Sequence, residues 1–188
     1  MSLKRIFPII LLVWPYLIFP QFLMMLSGED AVRSYAIGYE IMTVVICALN
    51  IIYAWTYKSQ DSYKDLAFWN MLIRLVYIPF YIIIFIIEIV LLSTSIIAGF
   101  GSILAIEIIF LVICLLVTSP MYGVSAVIQA KKRGLVPSEY AVLHSILHFI
   151  IIASLVSSIV LYAKLGKIHK QQKHFYMMEK ETSIYEKK

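Results

Sequence analysis

The stretch Leu75–Ile97, LVYIPFYIIIFIIEIVLLSTSII, decides the fold class, because Glu88 is its only charged residue. A bilayer core of about 30 Å requires roughly 20 apolar residues in a helix, and this stretch is long enough. Only helices and closed barrels cross lipid, and the sequence lacks the alternating ten-residue segments of a barrel. We therefore expect a transmembrane α-helix here.

The composition of the whole chain agrees with this expectation. Of 188 residues, 62% are hydrophobic and 14% are charged, whereas soluble domains are about 45–50% apolar and about 25% charged. A chain of this size has too little interior to hide such a surplus from water. The composition therefore excludes a soluble enzyme, a disordered chain and a disulfide-stapled secreted module.

Four more stretches have the length and composition of membrane spans. The sequence thus predicts an all-α integral membrane protein whose single domain, residues 1–164, has five transmembrane helices and the lipid bilayer as its first partner. The predicted spans cover about residues 6–26, 35–57, 75–97, 102–122 and 140–164. Residues 165–188 form a Lys-rich polar tail, which we expect to be a frayed helix or disordered.

The positive-inside rule sets the expected orientation. We expect the protein in the cell membrane. A cytoplasmic N-terminus then places Lys4, Arg5 and the basic Lys131–Arg133 cluster on the cytoplasmic side. Five spans then place the C-terminal segment Lys164–Lys188, with seven lysines, outside. We expect this arrangement, N-terminus inside and tail outside, although the tail does not obey the rule.

Polar side chains of the predicted spans fall on narrow faces when plotted at about 100° per residue. Ionised side chains are costly in lipid and face the interior of a bundle. We therefore expect helices two to five to surround a polar core, with the first helix peripheral. The candidate ligand or ion pathway consists of Glu40, Asn50, Arg74, Tyr81, Glu88, Glu107, Thr118, His144 and His148.

The depths of these residues suggest a function. Glu40, Glu88 and Glu107 are expected in the outer half of the membrane, and the nitrogen-bearing Arg74 in the inner half. This pattern favours a transport-related protein that binds or passes a cation, a proton or a small polar solute. Histidine, which titrates near neutral pH, would be its pH-sensitive group.

A second interpretation is that the polar faces only hold the bundle together. The chain would then be a non-catalytic accessory, immunity or sensing subunit of a larger membrane complex, or a homo-oligomer. The third interpretation is an intramembrane lipid-modifying enzyme. An enzyme is disfavoured because the sequence has no nucleophile elbow and no nucleotide-binding motif.

The motif His144-x-x-x-His148 places two imidazoles on one helical face, a spacing that is found in metal sites. These histidines are weak metal candidates, and we predict neither a metal nor a cofactor. Haem is disfavoured because no other predicted span contains a histidine. Nucleic acid is excluded as a partner because the lysine-rich tail has no accompanying nucleic-acid-binding fold.

One stretch also carries a family resemblance. The segments NMLIRLVYIPFYIIIFIIEI and VTSPMYGVSAVIQAKK, within Asn70–Lys132, and the following PSEYAVLHSILHFI resemble small multi-pass membrane proteins of Gram-positive, Clostridia-like bacteria. Those proteins are uncharacterised. The resemblance implies a bacterial origin and a cell-membrane location, and it implies no activity.

Overall fold

The chain is all-helical in the computed structural model, which describes residues 6–20, 32–59, 61–98, 101–148 and 150–185. Helix α1 is followed directly by a 3-10 helix over Trp14–Ile18. The helices are α1 (Ile6–Val13), α2 (Val32–Thr56), α3 (Ser62–Ala98), α4 (Gly101–Lys132), α5 (Ser138–Leu147) and α6 (Ile151–Tyr185). The described residues contain no strand, and the prediction of an all-α protein is confirmed.

Among the described residues, three helices are long and apolar enough to cross a membrane. They cover Tyr35–Thr56, Ser62–Ser93 and Ala105–Lys132 and overlap the second, third and fourth predicted spans. Large apolar side chains face outward from them; Phe85 and Ile106, for example, are each 66% exposed. Such an uncovered apolar surface is typical of contact with lipid. Helix α4 lies at the centre and packs against α2, α3, α5 and α6.

Only part of the first predicted span lies among the described residues. Helix α1 packs on α2 and α3, and its apolar helical part, Ile6–Ile18, falls below the length of a span. Ring pairs Phe7–Tyr53 and Trp14–Tyr39, with centroids 5.3 and 5.1 Å apart, show that it runs antiparallel to α2. Residues 21–26 of the predicted span, with Gln21, lie outside the described residues, as do Lys4 and Arg5.

The fifth predicted span differs most from the structure. Instead of one helix over residues 140–164, α5 (Ser138–Leu147) and α6 (from Ile151) form an antiparallel hairpin. His144 Nδ1 lies 2.7 Å from Ser157 Oγ, and Lys164 Nζ lies 3.5 Å from the ring centre of Tyr140. With ten residues, α5 is about 15 Å long, half the thickness of a bilayer core.

This hairpin also corrects the predicted position of the C-terminal tail. Helix α6 returns along α3, with Tyr162 against Phe68 (5.8 Å between ring centroids) and His169 Nδ1 at 3.3 Å from Asp61 Oδ1. The tail thus lies at the same end as the basic segments 58–64 and 131–133, not at the opposite end. It is helical through Tyr185, because Lys, Gln, Glu and Met favour helix and no Gly or Pro follows Gly166.

Cysteine labelling can test whether the tail and the α2–α3 connection lie at the same end of the bundle. We expect Lys58→Cys and Gln171→Cys, both at exposed positions, to react with a membrane-impermeant maleimide added to the same side of sealed vesicles. The background protein would carry alanine in place of Cys47 and Cys114. Ser93→Cys, near the far end of α3, should react only from the other side; labelling of Gln171→Cys together with Ser93→Cys would contradict the hairpin.

Candidate functional site

The polar faces of α2 and α4 meet in a series of hydrogen bonds, here called the α2–α4 polar ladder. Tyr122 Oη donates to Asn50 Oδ1 at 2.5 Å, and Ser125 Oγ donates to the carbonyl oxygen of Ala54 at 2.6 Å. Asn50 Nδ2 in turn donates to the carbonyl of Ile46 at 2.9 Å. Because these buried groups bond to one another, they stabilise the helix pair and leave little capacity for a ligand.

Thr118 behaves in the same way. Its hydroxyl donates to the carbonyl oxygen of Cys114 at 2.7 Å, and the side chain is 1% exposed. Asn50 and Thr118, both expected in the pathway, therefore have protein partners. Their role in a ligand pathway stays a prediction.

Arg74 makes the contacts that hold the hairpin to α3. Its Nε donates to Asn70 Oδ1 at 3.2 Å, and its Nη2 donates to the carbonyl oxygen of His148 at 2.8 Å. Nη1 donates to Ser154 Oγ in the first turns of α6. All three acceptors are neutral, and no carboxylate among the described residues pairs with the guanidinium. The positive charge therefore lies among the helices without a matching negative charge in this part of the chain.

His148 lies beside Arg74 and makes a close contact with α4. Its ring is 1% exposed and packs on Gly123 of α4, where an added Cβ would lie closer than 3.0 Å to His148 and Asn70. Within the described residues, neither ring nitrogen of His148 has a hydrogen-bond partner, and neither has Asn70 Nδ2. Only the absence of a side chain at Gly123 allows the hairpin to approach α4 this closely.

The two histidines do not converge on a common point. His144 Nδ1 is engaged by Ser157 Oγ, and the ring centroids of His144 and His148 are 6.4 Å apart. The described residues contain no group of three or more His, Cys, Asp or Glu side chains that could hold a metal ion. The pair alone supplies two nitrogen ligands, whereas zinc sites need three or four protein ligands.

A cavity of about 260 Å³ opens beside Arg74, beyond the tip of the hairpin. We call it the Arg74 cavity. The Tyr81 hydroxyl is buried in this region and has no hydrogen-bond partner among the described residues. The Arg74 cavity is lined by Arg74, Tyr77, Ile78, Tyr81, Leu116, Ser119, Ser154 and Leu155.

A second, larger cavity adjoins the first and is lined by residues of α3 and α4. This α3–α4 groove has a volume of about 460 Å³ and shares Tyr81 and Leu116 with the Arg74 cavity. Glu88 lies in it, and both carboxylate oxygens lack a hydrogen-bond partner in the part of the chain that the structure describes. The remaining lining residues are apolar: Ile84, Phe85, Leu92, Ile108, Ile109, Val112 and Ile113.

The three predicted carboxylates do not meet in these cavities. Glu40 and Glu107 are half-buried, and neither lines the Arg74 cavity or the α3–α4 groove. Glu88 and Arg74 are separated by 14 residues of α3, or about 21 Å along the helix axis. Arg74 and Tyr81 share a cavity, Tyr81 and Glu88 share a groove, and the roles of Glu40 and Glu107 stay predictions.

The sequence indicates some of the site residues but not which of them contact each other. Asn70 shares a helical face with Arg74, and Ser119 with Gly123 forms a small-xxx-small pair that indicates a close helix contact. The contact of Arg74 with Ser154, by contrast, joins residues 80 positions apart. No periodicity along one helix predicts which partner a side chain meets on another.

The close approach at Gly123 predicts a large difference between two glycine substitutions. Gly123→Ala should lower the stability by about 1–3 kcal/mol because the methyl group displaces His148 and Asn70. Gly166→Ala, where a Cβ meets nothing within 4 Å, should leave the melting temperature unchanged or raise it slightly. Thermal unfolding in detergent measures both; equal melting temperatures for the two variants would show that the hairpin does not pack on Gly123.

Comparison with known proteins gives a family and no activity. No curated protein and no solved structure matches the chain. A family model matches residues 5–167, which include α1 to α5, the hairpin turn and the part of α6 that packs on Arg74. The expectation of a family without known activity is confirmed. The chain belongs to the family of unknown function DUF6652.

Proposed function

We propose that this chain is a transport-related multi-pass membrane protein that binds a small anionic solute in the Arg74 cavity. The observation that carries the proposal is the Arg74 guanidinium, which lines a cavity and has only neutral partners among the described residues. A charge without a counter-charge is expensive at membrane depth. An anionic ligand would supply the missing charge. It belongs to the small polar solutes expected from the sequence and differs from the expected cation or proton.

The membrane arrangement belongs to this proposal. We place α2, α3 and α4 across the bilayer together with the segment that begins at α1, and we place the α5–α6 hairpin as a re-entrant element that enters and leaves on one side. The N-terminus and the lysine-rich tail then both face the cytoplasm, in agreement with the positive-inside rule. Irregular backbone at membrane depth is tolerated where it is buried in protein or lines a cavity.

The other lining groups suit an anion. Ser154 and Leu155 belong to the first turns of α6, and the N-terminal end of a helix carries a partial positive charge. The hydroxyl groups of Tyr81 and Ser119 can donate hydrogen bonds to a carboxylate or phosphate oxygen. Discontinuous helices of this kind hold anionic groups in several transporter folds.

The size of the cavity limits the ligand. Sites for drug-sized molecules begin at about 300 Å³, and the Arg74 cavity has about 260 Å³. The ring of Tyr77 and the side chain of Leu116 form apolar parts of the wall. We therefore expect a small carboxylate that carries an apolar group.

Benzoate is a suitable probe, and its uncharged amide benzamide is the matched control. We expect benzoate, and not benzamide, to raise the melting temperature of the purified full-length protein. Arg74→Gln should abolish the shift. Tyr81→Phe should weaken benzoate binding by about ten- to a hundredfold, the value of one hydrogen bond to a charged group, without touching the hairpin.

Lys167→Gln serves as the charge control for these variants, since it removes one positive charge from an exposed position on α6. It should bind benzoate like the wild type. If Arg74→Gln does not fold, Tyr81→Phe still decides the question by isothermal titration. Equal binding of benzoate and benzamide, or unchanged binding in Tyr81→Phe, would exclude the Arg74 cavity as the anion site.

A second candidate function, cation or proton binding, is favoured by one observation. Both carboxylate oxygens of Glu88 lie in the apolar α3–α4 groove without a hydrogen-bond partner among the described residues. A buried carboxylate of this kind suits a cation with an apolar surface. The carboxylate pairs with the positive charge, and the apolar groove walls pack against the apolar surface of the cation.

Tetramethylammonium tests this candidate, with sodium as the control for ionic strength. We expect tetramethylammonium chloride to raise the melting temperature of the wild type and of Glu139→Gln, whose exposed carboxylate lies at the start of α5. Glu88→Gln should lose the shift, since the amide carries no charge. A shift that persists in Glu88→Gln, or one that sodium chloride reproduces, rules out a cation site in the groove.

A further inference from the structure

We infer that a pocket at the basic end of the bundle binds the phosphate group of an anionic phospholipid. The pocket lies between the start of α3, the α4–α5 connection and the part of α6 beyond Gly166, and it has a volume of about 480 Å³. We call it the basic pocket; its polar lining includes Asp61, Tyr63, Arg133, His169, Lys173 and Tyr176. It is separate from the Arg74 cavity and goes beyond the proposed function.

Arg133 is fixed in place on one wall of the basic pocket. Its Nη2 donates to the carbonyl oxygen of Ser59 at 2.8 Å and to Ser62 Oγ at 3.3 Å. The guanidinium carbon lies 5.1 Å from the ring centre of Tyr63, in a cation–π contact. A positive group that is already ordered loses little conformational entropy when it binds a phosphate, for which guanidinium geometry is well suited.

The opposite wall is formed by α6. Lys173 and Tyr176 are exposed there and lie one helical turn apart. The carboxylate in the pocket, Asp61, has an imidazole partner in His169 at 3.3 Å. Arg133 and Lys173 place a positively charged side chain on each of the two walls of the pocket.

The position of the pocket indicates a lipid rather than a free phosphate. It lies at the end of α3 and α4, two helices long and apolar enough to span the membrane, and this places it at the depth of lipid headgroups. Basic pockets between helices on the cytoplasmic side are typical binding sites for anionic headgroups. Leu135 supplies an apolar surface in the wall for the glycerol and the start of an acyl chain.

The test compares two double variants of the full-length protein that have the same net charge. Arg133→Gln with Lys173→Gln removes the positive charges of the basic pocket, whereas Lys132→Gln with Lys170→Gln removes two exposed charges nearby. Native mass spectrometry in detergent would measure binding of phosphatidylglycerol, with phosphatidylcholine of the same chains as the neutral control. We expect affinity for phosphatidylglycerol to fall about tenfold in the pocket variant, and by less than twofold in the control.

Three results would overturn the inference: equal losses in both double variants, no loss in the pocket variant, or equal binding of phosphatidylcholine by the wild type. Glycerol 3-phosphate distinguishes the sources of phosphate, because equal affinity for this soluble fragment and for the lipid would assign the pocket to free phosphates instead. If the double variant does not fold, Lys173→Gln against Lys170→Gln decides, since both side chains are exposed on α6.

Discussion

The Arg74 guanidinium is the group on which the arrangement of the C-terminal half depends. It donates from α3 to the carbonyl oxygen of His148, the residue that follows α5, and to Ser154 in the first turns of α6, so that one side chain holds both arms of the hairpin. A helix end leaves carbonyl groups without partners, and they need donors wherever water is excluded. Removing a guanidinium from water is costly. Three hydrogen bonds offset part of this cost, and an anion in the adjoining cavity would offset more.

Two classes of polar residue follow from these contacts. In the α2–α4 polar ladder, Asn50, Tyr122 and Ser125 bond to each other or to backbone, and such complete networks stabilise one packing of the helices. Along α3, Tyr81 and Glu88 have buried oxygens without partners among the described residues. A buried polar group left without a partner costs stability, so its presence is an argument for a ligand. On our proposal, the polar faces of α2 and α4 stabilise the bundle, whereas Tyr81 and Glu88 on α3 belong to ligand sites.

The sequence predicts the helices and their polar faces, because apolar length and a period of 3.6 residues are properties of each segment alone. It predicts Arg74 and Tyr81 on one face of α3 for the same reason. The hairpin is not predictable in this way. Residues 140–164 remain apolar across the turn, with no Gly or Pro to mark it, and the donor that stabilises the turn comes from another helix. Arg74 was expected in one polar core with three glutamates, yet its described partners are amide, hydroxyl and carbonyl oxygens.

Helix α5 is only about half as long as a bilayer core is thick, and this length affects both the position of the charged tail and the cavities. A single helix over residues 140–164 would place the lysine-rich tail at the end away from the Lys131–Arg133 cluster, and it would also continue along α3 and α4 beyond Arg74. Because the chain turns back between α5 and α6, the tail joins the basic segments at one end. Among the described residues, no helix then covers the surface between α3 and α4 from Arg74 to Leu92, where the Arg74 cavity and the α3–α4 groove lie. A substitution that straightened this turn would therefore be expected to fill the site and to misplace the tail together.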